Sequence, residues 1–317
     1  MSNMSHLFGP VPSRRLGRSL GLDITPYKTC TFDCVYCQLG RTTNKTVQRQ
    51  EYIAKDSILC ELREFLPEGE ADTDYITFAG SGEPTLHSGI GEIIDAIKTM
   101  TDIPVAVITN GSLLFREDVR DDLLNADVVL PSLDAATTSV FRAVDRPHES
   151  LSVDRIIEGL RMFREVFEGE FWLEIMFVRG INDGTDEIAA LSDAISAIDP
   201  DRVQLNTVVR PPYEDVLPVD EDVMVRIQEA FGGNFDVEII AEKRIEVHAD
   251  ILPLLERRPL TLDQIAGSLG MHRNEAAKYL RELIEQGAVV ETVHGGKRYF
   301  GMNPKALTPP TPEYDDI

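Results

Sequence analysis

Short apolar runs alternate along most of the chain with segments whose apolar residues recur every three or four positions. The runs span 20–24, 75–79, 105–109, 128–132, 172–178 and 203–208, each rich in Val, Ile, Leu or aromatic side chains and short enough for a buried parallel strand. Helical periodicity fills the intervals near 54–66, 89–100, 116–124, 151–168, 184–198 and 219–231. Such alternation predicts an α/β architecture with a parallel sheet covered by helices. Six repeats of the unit, closing or partly closing over residues 1–250, predict a partial (β/α)6 barrel related to the eight-unit one. In these folds the site lies at the carboxyl ends of the strands. Here those ends read Asp23, the 80–83 turn, Asn110, Asp134, Arg179 and the 209–210 pair.

The pattern changes after residue 251. Thr261 opens a helix that Gly270 breaks, and a second helix from about Asn274 to Gln286 stops at Gly287. Two short strands, 288–292 and 298–302, flank the turn His294-Gly295-Gly296-Lys297. Helix, tight turn, helix and a Gly-Gly hairpin predict a winged helix-turn-helix domain over 251–305. The tail 306–317 is Pro-rich and acidic, which predicts disorder.

Charge adds an asymmetry. The 317 residues carry 31 Lys+Arg against 54 Asp+Glu, a formal charge of −23. Residues 1–56 hold eight cations and four anions, residues 57–252 hold 15 and 41, and residues 253–305 hold eight and six. So negative a field repels nucleic acid at long range, and a polyanion would have to meet the locally basic ends. No apolar run reaches the roughly 18 residues of a membrane span, which excludes an integral membrane protein of that kind. The first 13 residues show no basic stretch followed by an apolar one, and four cysteines are too few for a disulfide scaffold. A cytoplasmic, reducing location is expected.

The sharpest chemical signal is Cys30-Thr-Phe-Asp-Cys34-Val-Tyr-Cys37, three thiols spaced C-x3-C-x2-C directly after the first predicted strand. Thiolates are soft ligands for zinc or an iron–sulfur cluster. A structural zinc wants four closed ligands and no fourth lies nearby, since His6 and His87 are distant. Three thiolates instead leave one iron of a [4Fe–4S] cluster open to a substrate or cofactor. Cys60 sits in the apolar stretch Ile58-Leu59-Cys60-Glu61-Leu62, where a buried structural thiol is expected.

On these cysteines the sequence resembles the radical S-adenosylmethionine (SAM) superfamily. A second element strengthens the match: Gly80-Ser81-Gly82-Glu83-Pro84, after the second predicted strand, is similar to that family's Gly-Gly-Glu-Pro turn, with Ser81 in place of the first Gly of the pair. The resemblance implies that Cys30, Cys34 and Cys37 hold a [4Fe–4S] cluster and that Tyr36 lies against the adenine of SAM. It further implies that Gly80, Ser81, Gly82 and Glu83 grip the SAM ammonium, and that Asn110, Ser132 and Asp134 meet its carboxylate and ribose. Glu174, Met176 and Asn206 are candidates for the same pocket. A low-potential donor such as flavodoxin or ferredoxin is the implied partner.

The stretch from Phe8 through Arg14, Arg15 and Arg18 looks like the opening of the branch grouped with tRNA wyosine synthases, which points to an RNA substrate; a protein substrate belongs to the activase rival below. Arg14, Arg15, Arg18, Arg179 and Arg210 are candidates for an anionic substrate. The chain departs from the wyosine synthases in having only Cys60 beyond the motif, and one thiol cannot hold a second cluster. Two rival functions stay open: an activase that installs a glycyl radical on a partner, and an iron–sulfur redox sensor whose winged helix binds DNA. The residue that handles the substrate radical is not legible.

Overall fold

Six apolar runs form strands, all but the first of them containing β-branched or aromatic residues, and each is followed in the chain by a helix. The computed structural model describes residues 6–303 apart from 14, 71–72, 209–211, 233–234, 241–250, 253, 256–257, 270–272 and 295–296. The anticipated tail, together with Arg14 and Arg210, lies outside the described residues.

In chain order the first elements are β1 (Leu7–Ser13), β2 (Gly17–Leu22), β3 (Thr29–Cys30), β4 (Asn44–Lys45), α1 (Lys55–Gly69), β5 (Tyr75–Phe78), α2 (Ile90–Met100) and β6 (Val105–Thr109). There follow α3 (Glu117–Leu123), β7 (Val128–Pro131), α4 (Thr138–Val144), α5 (Val153–Arg164), β8 (Glu170–Phe177), α6 (Thr185–Ile198), β9 (Arg202–Thr207), α7 (Glu221–Phe231) and β10 (Val237–Ile239). Eight strands make one sheet in the order β1-β2-β5-β6-β7-β8-β9-β10. Every pairing from β2 to β10 is parallel; β1 alone runs antiparallel, against β2. All six anticipated strands are present, so the α/β prediction with a mostly parallel sheet holds. The sequence reading missed β1, which is interrupted by Gly9, Pro10 and Pro12, and the short β10 and α4.

Alternation along β8 separates two layers. Leu173, Ile175 and Phe177 join the large core beneath the helices, which includes Phe78, Ile94, Leu160 and Phe163. On the opposite face Trp172 packs with Leu16, Ala106, Val128 and Leu130 in a smaller cluster. That second face also carries Glu174, whose carboxylate pairs with Arg15. Because the strands are parallel, the loops after β2, β5, β6 and β7 emerge on one edge of the sheet, and every cysteine of the C-x3-C-x2-C motif is there.

The chain divides into two compact units at residues 243 and 244. In the second unit, α8 (Leu262–Ser268) begins with a capping box between Thr261 and Gln264. Next come α9 (Arg273–Glu285) and an antiparallel hairpin of β11 (Val289–His294) and β12 (Lys297–Met302). Ile265, Ala276, Leu280, Leu283, Val289 and Phe300 bury a core of their own. Gly287, at φ +71°, turns the chain from α9 towards the hairpin. Among the described residues no helix is long and apolar enough to cross a membrane.

Candidate active site and metal centre

The cysteine loop is held by backbone hydrogen bonds from two neighbouring β/α units. On one side, the N–H of Lys28 donates to Ser81 O at 2.8 Å and that of Glu83 to Thr29 O at 3.1 Å. On the other, Asp33 N–H donates to Asp145 O and Val35 N–H to Val144 O, each at 2.9 Å, while His148 N–H donates to Thr31 O at 2.8 Å. The first clamp explains the glycines. A Cβ on Gly82 would lie 1.9 Å from Thr29 O, and Gly80 has φ +146° with Asp23 where its Cβ would be. The Ser81 hydroxyl and N–H both donate to the buried Asp23 carboxylate just after β2.

Glu83 is 2% exposed and its carboxylate is already heavily used. Oε1 accepts from Thr85 N–H at 3.0 Å, from Thr85 Oγ1 at 2.6 Å and from Thr109 Oγ1 at 2.6 Å; Oε2 accepts from Asn110 N–H at 2.8 Å. Burial pushes its carboxyl above the ordinary carboxylate range, and the four bonds work against that rise. Glu83 therefore ties its own turn to the end of β6, with acceptor capacity left on Oε2.

The three thiols surround a buried ammonium. Lys28 is 4% exposed and in the left-handed region at φ +57°, and its Nζ donates to Cys37 Sγ at 2.9 Å. Burial opposes its charge, yet Cys37, with Cys30 and Cys34 behind it, holds the lysine pKa above its ordinary value. In the protein alone, burial and the nearby Glu83 push the Cys30 thiol up to about 12. Burial and Asp145 likewise raise Cys34, whose Sγ donates to Asp145 Oδ1 at 3.4 Å. Half-buried thiols gathered beside a cation that has no carboxylate ion pair among the described residues suit a metal, whose binding displaces their protons. Among the described residues no three His, Cys, Asp or Glu side chains converge on a point that would hold one metal ion. A structural zinc closes on four ligands, whereas three soft thiolates with no fourth ligand beside them suit an iron–sulfur cluster. The donor set fits the cluster.

Beside it, a small cavity is lined by Phe32, Asn110, Ser132, Asp134, Phe141 and Asp145. Asn110 Nδ2 donates to Thr31 Oγ1 at 2.7 Å and lies 3.6 Å from Cys30 Sγ. Tyr36 donates its hydroxyl to Asp134 Oδ2, and Met176 N–H donates to Asp134 Oδ1 at 2.8 Å. Burial pushes Asp134 up to about 6 and Asp145 well above its ordinary value, and the two carboxyls share a hydrogen bond. Burial, reinforced by Asp134, also raises the Tyr36 phenol. The anticipated residues Cys30, Cys34, Cys37, Tyr36, Glu83, Asn110, Ser132 and Asp134 thus gather at one edge of the sheet.

Three expectations need correction. Cys60 is exposed, because Ile58, Leu59 and Leu62 take the core face of α1 and leave it on the other side. Arg15 is an ion-pair partner of Glu174, and Arg179 is engaged with Asp220 and Pro218 O, so neither guanidinium stands apart to receive an anion. Lys28 and Asp145 were missed, and Asp23 was read only as a strand end, without its bonds to Ser81. Only Lys28, two residues before the first cysteine, left a local trace.

A family model described as the radical SAM superfamily matches residues 24–192. The chain is 33% identical over 320 residues to a UPF0026 protein of Methanocaldococcus jannaschii, with 96% of this chain and 98% of that one covered. It is 40% identical over 307 residues to a Brachyspira hyodysenteriae protein named GTPase Obg; 94% of this chain aligns but only 45% of that protein, so the chain spans less than half of that relative. A solved radical SAM methyltransferase from Sphaerobacter thermophilus superposes with TM-score 0.54 at 13% identity, covering 73% of this chain and 68% of that one. Streptococcus suis SuiB bound to S-adenosylmethionine gives 0.50 at 16% identity, covering 73% and 50%. At such identities these two likenesses concern fold. Enzymes of the matched superfamily use a [4Fe–4S] cluster and SAM. With its matched segment opening just after Asp23 and running into α6, the chain belongs to the radical SAM superfamily.

Proposed function

We propose that this chain reductively cleaves SAM and uses the resulting radical to take a hydrogen atom from a substrate, with RNA as the favoured substrate class. The observation that carries the chemistry is the cysteine loop itself: three thiols around the buried Lys28 ammonium, clamped by the turns at 80–85 and 144–148. Cys30, Cys34 and Cys37 would hold the cluster. When bound, the cluster supplies the electron that splits SAM into methionine and a 5′-deoxyadenosyl radical. The remaining lone-pair capacity of Glu83 Oε2 and the backbone of Gly80, Ser81 and Gly82 would receive the SAM ammonium. Asn110, Ser132 and Asp134 would meet its carboxylate and ribose, and Tyr36, anchored on Asp134, would lie against the adenine. Superfamily enzymes generally draw the electron from a reductant such as flavodoxin or ferredoxin.

The C-terminal pair of helices and its hairpin fit a winged helix-turn-helix, and we assign it to presenting the substrate. Its cations Arg273, Arg281, Lys297 and Arg298 share the segment with Glu282, Glu285 and Glu291, and Arg273 and Arg298 pair with Asp263 and Glu291. That balance favours docking over tight, sequence-selective DNA binding.

Anaerobic reconstitution tests the proposal. Wild type should bind about four irons and, with SAM and a strong reductant, release 5′-deoxyadenosine and methionine. Cys34→Ser should lose the cluster and Cys60→Ser should keep it. Iron binding without SAM cleavage, even with cell extract as a source of substrate, would favour the redox-sensor reading instead.

A further inference from the structure

Two cavities of about 300 Å³ each adjoin at Leu151, on the edge of the sheet where the cysteine loop emerges. Their walls come from the segments that follow β2, β6 and β7. The cations along them are Lys45, Arg116, Arg142, Arg146, His148 (when protonated) and Arg155, and the one carboxylate among the lining residues is Glu149. In a chain where acids outnumber bases 54 to 31, an exposed cation ordinarily finds an acid. Arg116 does so with Asp118 and Arg146 with Glu214. Among the described residues Lys45, Arg142 and Arg155 have no carboxylate partner: Lys45 donates to Arg146 O at 3.0 Å and Arg155 lies 3.6 Å over the ring of Phe115.

The groove is continuous with the cluster loop. Lys45 is the strand partner of Cys30, His148 N–H donates to Thr31 O, and Arg146 directly follows Asp145, which accepts from Cys34. Its floor is apolar, built by Val47, Leu113, Phe115 and Leu151. Guanidinium groups along a concave path match successive phosphates. An apolar floor with a guanidinium plane on an aromatic ring offers bases and riboses a surface to stack on. A docking face for an acidic protein would be flatter and would not need that floor.

We propose that this groove binds the phosphodiester chain of a single-stranded RNA and leads it to the cluster edge of the sheet. The inference rests on the reading above for the substrate class and for its place at that edge, and it adds the surface that would hold the RNA and its single-stranded form.

The test uses the full chain and fluorescein-labelled oligouridylate, followed by anisotropy across a salt series. Arg142→Gln with Arg155→Gln should weaken binding at least tenfold and reduce the slope of log affinity against log salt by about 1.4, two phosphate contacts on a single strand. Arg142→Gln alone, at an exposed residue, should give about half that loss of slope without affecting folding. Arg226→Gln, a distant exposed arginine on α7, should change neither. Unchanged binding in the double variant overturns the proposal. So does loss of binding in Lys297→Gln with Arg298→Gln while the groove variants bind normally. Equal affinity for uridine 5′-monophosphate and the oligomer overturns the claim of a chain. Substrate-free SAM cleavage is measured in parallel. If cleavage persists while the arginines prove irrelevant to RNA, the groove fails and the enzymatic reading stands; if wild type binds RNA through them but never cleaves SAM, the enzymatic reading fails alone.

Discussion

Glu83→Gln is the most informative single substitution, because the four bonds to Glu83 cannot all survive it. The carboxylate accepts from two backbone N–H groups on different oxygens, Thr85 on Oε1 and Asn110 on Oε2. An amide has one accepting oxygen. Whichever way it is turned, its NH2 faces one of those N–H groups, and neither backbone donor can reverse its role. The threonine hydroxyls at 85 and 109 can rotate, so they adapt. One buried N–H is orphaned, at about 1–3 kcal/mol. The surviving bonds also lose charge assistance, each falling from about 1.5–3 to about 0.5–1.5 kcal/mol. Against this, the neutral amide no longer bears the desolvation that raises the Glu83 pKa. The net loss is roughly 2–4 kcal/mol. For a unit of this size that lowers the melting temperature by roughly 5–15 °C, measured on cluster-free protein by calorimetry under reductant. SAM binding to the reconstituted variant should fall as well. A melting temperature within about 2 °C of wild type would refute the reasoning, since it would mean the four bonds contribute nothing net.

Three further outcomes are expected. Gly82→Ala puts a methyl 1.9 Å from Thr29 O and must break the Glu83 to Thr29 hydrogen bond; it should destabilise by roughly 2–4 kcal/mol in denaturant titration, whereas Gly184→Ala, with no atom within 4 Å of the new methyl, should stay within about 0.5 kcal/mol. Lys28→Met removes an ammonium whose side-chain hydrogen bond goes to Cys37 Sγ; because the folded protein holds the lysine pKa above its ordinary value, cluster-free protein should lose about 1–3 kcal/mol, and the reconstituted cluster should titrate at a more negative potential by electron paramagnetic resonance. Asp118 is held down to about 2 by Arg116 and, behind it, Arg49, against an ordinary 3.8. Its contribution is therefore present above pH 3.8 and lost as pH falls towards 2. Asp118→Asn should flatten that acid limb of the stability curve by less than about 1 kcal/mol, because the side chain is 51% exposed.

The legible parts of this protein were those written locally. The C-x3-C-x2-C spacing, the Gly-Ser-Gly-Glu turn and the alternation of apolar runs with helical stripes each occupy a few consecutive residues, and the sheet and the cluster edge follow from them. The partners of those residues were hidden because they are remote. Asp145 meets Cys34 across 111 positions and Tyr36 meets Asp134 across 98. The Arg15–Glu174 pair takes one cation of the basic stretch into an ion pair with a residue far along the chain, and no local pattern announces it. Cys60 shows the opposite failure: the apolar neighbours that made it look buried are what push it out, since one face of a helix does not take Ile58, Leu59, Cys60 and Leu62 together.

The double clamp on the cysteine loop sets an order on its construction. One set of backbone bonds comes from the 80–83 segment and the other from 144–148, so both sides of residues 28–35 are held by chain that lies well downstream of the thiols. Domains are synthesised from the N-terminus, and a nascent chain that ends before Val144 carries all three cysteines with one side of their frame still missing.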